Sequence, residues 1–367
     1  TIIMFHTVVE HDNRTKPLKT ISLHPFSQLK YSTLLKHNTL ILLAGKIRIH
    51  SNIVSSNGAV LVHARTLRPI CFKNLYTSRR SNIIIESHYA VIENKQLLVQ
   101  VFDREIFIFK WGASFKERYS TVLPSRITAF CPLEELDELL IAQNESVNRF
   151  SMNNFFELEP FTLKQLDEGE IISMINLPGR NQLAIGATSI EATVNCYLFL
   201  IEHKTWRIVG SRLLNYRGFD FDFRMVQYVE ETNAIYGIRK FTNENLELEI
   251  DCCKWEIFGG SQCNVTERSL MKVKDVNWKN FVMLCKGYKD GRTLAFFGKL
   301  TYAEEISYGK LMLTDKNMKV IKSVDSPTRV VAFWQGLNVV VFQPGSLLLQ
   351  KARYVIVNEN ALFNNKA

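Results

Sequence analysis

Three observations predict an all-β protein assembled from seven copies of one four-stranded unit. A turn residue followed by an apolar run of strand length recurs along the chain, at 39–44, 96–101, 138–142, 181–185, 233–236, 292–297 and 337–341. Each run follows a shorter apolar run, at 29–35, 88–92, 126–130, 171–175, 225–229, 280–284 and 329–333, and most lead into two more strand-like runs. Helical periodicity is scarce, and the best helix candidate, 161–167, is short. Four short strands per repeat, at about 40–50 residues per repeat, is the pattern of a β-propeller blade.

The expected fold is therefore a seven-bladed β-propeller with four-stranded blades in one domain spanning 1–367. The last repeat ends in a hairpin of two apolar runs around Pro344-Gly345, where Pro presets the turn and Gly supplies the left-handed residue. That blade needs closing strands, and the N-terminal segments 2–9 and 18–23 are expected to supply at least one. The division is then closing strands in 1–27, blades in 28–357 and a tail in 358–367. The alternative architecture is a pair of β-sandwiches.

Composition bounds the function. An apolar fraction of 46% with 22% charged residues is that of a globular chain, and 24 Phe with 12 Tyr favour strands. No apolar run approaches the roughly 18 residues that a membrane span requires, so no membrane insertion is expected. The opening residues lack the pattern of a signal peptide. Seven Cys without repeated spacing are read as buried thiols in a reducing compartment, which suggests an intracellular protein of cytoplasm or nucleus. The net charge of +9 is unevenly placed: residues 1–125 hold 17 Lys/Arg against 7 Asp/Glu, and residues 126–367 hold 28 against 29. A basic sector on a neutral body is expected.

The third strands carry a family resemblance. Segments 106–111 (Ile-Phe-Ile-Phe-Lys-Trp), 147–150, 251–255 (Asp-Cys-Cys-Lys-Trp) and 311–315 resemble the apolar-strand-then-Trp-Asp ending of WD40 repeats. The chain has no Trp-Asp and no Gly-His dipeptide, so the buried hydrogen-bond network of that family is expected to be mostly missing. The chain also resembles the propellers that open vesicle-coat and nucleoporin subunits.

Catalytic and metal signatures are absent from the sequence. It contains no G-x-S-x-G, H-E-x-x-H, Walker A or C-x-x-C pattern, and no cofactor or metal site is expected. His6 and His11 are one residue too far apart for an H-x-x-E-H zinc motif. Asp220 and Asp222 share a strand face if 218–223 is extended, but a lone acidic pair is read as a solvated loop. Cys252 and Cys253, adjacent on a strand, would point to opposite faces, as core and rim residues.

The function class that remains is a non-catalytic interaction scaffold, a partner- or substrate-recognition subunit of a larger intracellular complex. The ubiquitin-ligase substrate receptor is one such type, by fold analogy alone. Long second-to-third-strand and blade-to-blade connections put the insertions on one face, the usual place for binding. On that face Lys73, Arg79, Arg80 and Arg104 are expected to approach one another, with Tyr216, Arg217 and Phe219 offering aromatic anchors. The expected partner is an acidic or phosphorylated protein segment. The alternative is nucleic-acid binding by the basic first third, with Tyr31, Phe72, Tyr76 and Tyr89 available to stack on bases. A propeller hydrolase is the remote third reading.

Overall fold

The computed structural model describes residues 7–8, 19–22, 26–35, 39–48, 55–64, 66, 68–77, 79–80, 83–84, 87–164, 166, 169–189, 195–214, 221–242, 245, 248–259, 264–274, 281–300, 306–317, 319–325, 329–334, 339–343 and 353–358. The chain divides into two compact units, one of residues 1–123, 298–310 and 324–367, the other of 124–297 and 311–323.

The first unit contains two four-stranded antiparallel sheets. One, the 26–75 sheet, runs Phe26–Leu34, Leu40–Arg48, Ser55–His63 and Pro69–Leu75 in chain order. The next, the 88–122 sheet, runs His88–Ile92, Leu97–Phe102, Glu105–Lys110 and Lys116–Val122. Between them Arg79–Arg80 pairs with Ile83–Ile84 in a two-stranded ribbon. A five-stranded sheet brings the chain ends together, in the order Thr7–Val8, Lys19–Ser22, Arg353–Asn358, Val339–Gln343, Arg329–Trp334. Lys19–Ser22 lies antiparallel to Arg353–Asn358, with Ile21 opposite Tyr354.

The second unit repeats the four-stranded meander. The 129–162 sheet runs Ala129–Leu133, Glu138–Gln143, Ser146–Ser151 and Glu157–Thr162. The 170–213 sheet runs Glu170–Leu177, Gln182–Ser189, Asn195–Glu202 and Ile208–Leu213. The 221–274 sheet runs Phe221–Val229, Ala234–Thr242, Leu248–Phe258 and Asn264–Lys274. A further sheet, whose residues are divided between the two units, runs Phe281–Gly287, Thr293–Leu300, Ile306–Thr314 and Val320–Asp325. Six sheets thus have four strands each and one has five.

The second strands are the apolar runs of the sequence because they are covered on both faces. All of Leu97–Phe102 and all of Glu138–Gln143 are buried, whereas the outer strands Lys116–Val122 and Glu157–Thr162 hold no buried residue. Side chains of neighbouring sheets interdigitate between them: Leu42, Ala59 and Leu61 with Leu98, Phe109 and Trp111, and Leu140 and Val147 with Leu183 and Ile201. Cys252 and Cys253 do face opposite ways, into two different cores, but neither is at a rim.

A repeated turn joins the first two strands. Gln96, Asp137, Asn181 and Asn233 each have positive φ, between 47 and 56°. Each donates its N–H to the carbonyl three residues back, at 3.0, 3.4, 3.3 and 3.0 Å. Each carbonyl in turn accepts an N–H at the end of the third strand, from Trp111, Met152, His203 and Ile257, at 2.9, 2.7, 3.1 and 3.2 Å. Asn and Asp tolerate this left-handed conformation better than most residues, which accounts for three of the four.

Several expectations need correction. In the best helix candidate, 161–167, Phe161 and Thr162 instead close the strand Glu157–Thr162, and Leu163 and Leu166 are buried in the core beside it. The Leu166 N–H bonds the Leu163 carbonyl at 2.9 Å, and both leucines face one core. Asp222 lies in the strand Phe221–Val229 opposite Lys240, not in a loop, and Asp220 lies outside the described residues. His6 and His11 also lie outside them.

Candidate interaction face

The connection between the first two four-stranded sheets is anchored from both sides. Asn57, on the third strand of the 26–75 sheet, and Gln100, on the second strand of the 88–122 sheet, are both buried. Asn57 Nδ2 donates to the Tyr76 carbonyl at 2.9 Å and to Ser87 Oγ at 2.9 Å. Gln100 Nε2 donates to the same two acceptors, at 2.8 and 3.2 Å. Two amides from two sheets therefore hold the start and the end of one connection. Thr77 Oγ1 adds a third tie, accepting the Asn57 N–H at 3.2 Å. Each buried amide bond of this kind contributes about 1 kcal/mol, and losing one leaves a buried partner unsatisfied.

Tyr76 caps the structure. Its ring is 45% exposed on one side and stacks on Phe107 at 4.1 Å on the other, with Phe109 behind at 6.1 Å. Its hydroxyl donates to Glu117 Oε2 at 2.6 Å, and that bond raises the phenol pKa above its ordinary value. Tyr76 is thus one of the aromatics available for stacking, whereas Tyr89 is buried.

The predicted site residues fall as follows. Arg79 and Arg80 form one strand of the ribbon, opposite Ile84 and Ile83. Arg104 is exposed in the two-residue turn after Leu97–Phe102, where Asp103 takes positive φ and the Arg104 carbonyl accepts the Leu123 N–H at 2.8 Å. Val101 pairs with His88, so this turn lies at the end of the sheet from which Ser87 and the connection depart. Lys73 is half-buried on Pro69–Leu75, opposite Ala59 and just before the chain enters the connection. Tyr216, Arg217 and Phe219 lie outside the described residues.

The anchoring residues Asn57 and Gln100 carried no recognisable motif in the sequence. Their signal is a polar amide inside an otherwise apolar run, Leu97-Leu-Val-Gln-Val-Phe102. The device recurs: Gln143, on the second strand of the 129–162 sheet, donates Nε2 to the Ser125 carbonyl at 2.6 Å, again in a connection between sheets.

Among the described residues no three His, Cys, Asp or Glu side chains gather as a metal site. The described cysteines are free thiols, and burial pushes Cys131 up to about 12 and also raises Cys252 and Cys285, which suppresses the nucleophilic thiolate. No described helix is long and apolar enough to cross a membrane.

No protein-family model matches the sequence, and no curated protein does. Among solved structures, the crystal structure of the Myceliophteria thermophila Cps50 (Swd1) β-propeller domain is similar, with a TM-score of 0.54, covering 90% of this chain and 99% of that one at 9% identity. At that identity the likeness speaks to fold alone. The fold is an all-β propeller with four-stranded antiparallel blades.

Proposed function

We propose that this chain is a non-catalytic interaction scaffold that recognises an acidic or phosphorylated protein segment through Arg79, Arg80 and Arg104, with Lys73 beside them. The scaffold is a single seven-bladed domain, with blades over 28–357, in which the five-stranded sheet is the seventh blade and residues 1–27 supply its closing strands. Free buried thiols support a reducing, intracellular setting as a subunit of a larger complex.

The observation that carries the reading is the double anchor of the connection, by Asn57 and Gln100 on Tyr76 and Ser87. A basic segment fixed at both ends loses less conformational freedom on binding, so more of the interaction free energy appears as affinity. The excess of 17 Lys/Arg over 7 Asp/Glu in residues 1–125 sets the sign of the partner.

The test is native purification of wild type and of the R79E/R80E/R104E variant, with and without nuclease. A matched reversal of the exposed Lys164, Lys204 and Arg207 is the control. Each desolvated Arg lost costs about 1–3 kcal/mol, so protein partners are expected to be lost from the first variant and retained by the control. Equal retention by both variants overturns the reading. Partners that vanish on nuclease treatment, with affinity for single-stranded DNA falling steeply with salt, replace it with nucleic-acid binding.

A further inference from the structure

Beyond the basic first third the sequence is close to neutral, with 28 Lys/Arg against 29 Asp/Glu in residues 126–367. Folding nevertheless gathers cations on two turns of the second compact unit, 288–292 and 315–319. A backbone bond closes each turn: the Tyr288 N–H donates to the Arg292 carbonyl, and the Asp315 N–H to the Lys319 carbonyl, both at 2.9 Å. The turns touch. Gly291, at φ 84°, has no Cβ, and one placed there would lie 3.1 Å from Lys316 Cβ and 3.8 Å from its Cα. Lys289, Arg292, Lys316 and Lys319 are all exposed on this pair of turns. A fifth cation, Arg268, reaches the second turn from the 221–274 sheet, donating from Nη1 to the Asn317 carbonyl at 3.5 Å.

The carboxylates nearby are engaged elsewhere. Asp290 accepts the Arg292 backbone N–H at 3.1 Å on Oδ1 and the Arg292 Nε–H at 2.7 Å on Oδ2. Asp315 Oδ1 accepts the N–H groups of Asn317 and Lys319, each at 2.9 Å. Glu256 pairs with Arg268 at 3.0 Å, and Glu231 Oε2 lies beside Gly287, before the first turn begins. The side chains of Lys289, Lys316 and Lys319 make no hydrogen bond or ion pair among the described residues. Like charges gathered on touching turns repel one another, and an anion bound among them removes that repulsion.

We propose that Lys289, Lys316 and Lys319 form a binding site for a ligand that carries several phosphate groups close together. An ammonium is a point charge that takes a phosphate oxygen from any direction, whereas two-point recognition of a carboxylate is suited to arginine. Both arginines here, Arg268 and Arg292, are already held by carboxylates. The unspent cations are therefore lysines, which fit clustered phosphates better than an acidic protein segment. Single-stranded nucleic acid also fits worse, because it needs open rings on which bases stack. The Tyr288 ring is half-buried, with Lys286 Nζ 5.0 Å and the Arg292 guanidinium 5.4 Å from its centre. A free polyphosphate and a phosphorylated lipid headgroup share the required chemistry, and the test separates them. The proposal does not depend on the function proposed for Arg79, Arg80 and Arg104.

The test uses the full chain, with tripolyphosphate and orthophosphate as probes in isothermal titration calorimetry. Tripolyphosphate is expected to bind at least ~10-fold tighter than orthophosphate, and to weaken as salt rises, because several charged contacts form at once. K289Q/K316Q/K319Q is expected to keep the wild-type melting temperature and to lose ~10-fold or more in tripolyphosphate affinity, with K289Q and K316Q each losing part of it. R79E/R80E/R104E and the reversal of Lys164, Lys204 and Arg207 keep the wild-type affinity. Cosedimentation with phosphatidylcholine vesicles carrying phosphatidylinositol bisphosphate, lost in K289Q/K316Q/K319Q, assigns the phosphates to a lipid headgroup. Tripolyphosphate binding without cosedimentation assigns them to a soluble ligand. Equal affinity for the two phosphates overturns the proposal. So does unchanged binding by K289Q/K316Q/K319Q, an equal loss in the reversal of Lys164, Lys204 and Arg207, or tighter, lysine-dependent binding of single-stranded DNA.

Discussion

His203 is the residue least in keeping with its surroundings. Its N–H lies at the end of the third strand, the place held by Trp111, Met152 and Ile257 in neighbouring repeats, so an imidazole occupies an apolar position. Its side chain is 1% exposed, with Nδ1 3.5 Å from Glu135 Oε1. Trp206 lies against it at 6.2 Å, and the Arg149 guanidinium sits over that indole at 4.5 Å while pairing with Glu138. Burial lowers the His203 pKa below 6.5, and Glu135, the Gln182 backbone and Glu138 recover only part of the shift. The folded state therefore favours the neutral ring. The stability this confers is present above the ordinary histidine pKa and is lost as pH falls below about 6.5. We expect H203M to match or exceed wild type at pH 7.5 and to lose less melting temperature than wild type between pH 7 and pH 5. Parallel melting curves for the two proteins across that range would assign the acid sensitivity to another group. The burial of this histidine against Glu135 was not legible in the sequence, because the two are 68 positions apart and meet only when two sheets pack.

At the scale of an element, the 221–274 sheet is tied by a buried ionic ladder. Arg239 on the second strand bonds Asp251 on the third at 2.6 Å and Glu267 on the fourth. Ser269 donates to the other Asp251 oxygen, and the Trp255 indole N–H reaches Glu267 at 3.4 Å. Arg239 and Asp251 are buried, so the arrangement repays desolvation only while every partner is present. R239M should destabilise the protein by about 3–5 kcal/mol, because it strands the Asp251 carboxylate. Removing both charges, in R239M/D251L, should cost markedly less than R239M alone. The urea midpoints of the two variants check this, and a double variant no more stable than the single one refutes the account. Charged residues inside strands look like solvent-facing positions in a sequence, so this ladder was not legible there. The lack of Trp-Asp and Gly-His dipeptides leads to the expectation that the buried hydrogen-bond network of WD40 repeats is mostly missing, an expectation that does not extend to other buried polar networks. This sheet carries one, made from different residue types.

For the whole molecule, the consequential feature is the sheet that joins the chain ends. Lys19–Ser22 covers the edge of Arg353–Asn358 that would otherwise be open. Deleting residues 1–24 should lower the melting temperature and promote aggregation, since an open strand edge pairs with other chains. A truncated protein with unchanged melting temperature and solubility would show that closure contributes nothing to stability.

What the sequence by itself determined is the repeating strand pattern. The runs at 96–101, 138–142 and 181–185 coincide with the second strands Leu97–Phe102, Glu138–Gln143 and Gln182–Ser189, because a strand covered on both faces must be apolar along its length. The charge asymmetry and the lack of a metal or nucleophile motif were equally local. Only the tertiary structure decided which polar residues act together. Asn57 meets Gln100 at one connection, Arg239 meets Asp251 and Glu267 across three strands, and His203 is set against Glu135. Hydrophobic burial is additive along a chain and leaves a periodic trace. A hydrogen bond or ion pair needs two partners at one distance and angle, and sequence spacing does not encode that geometry.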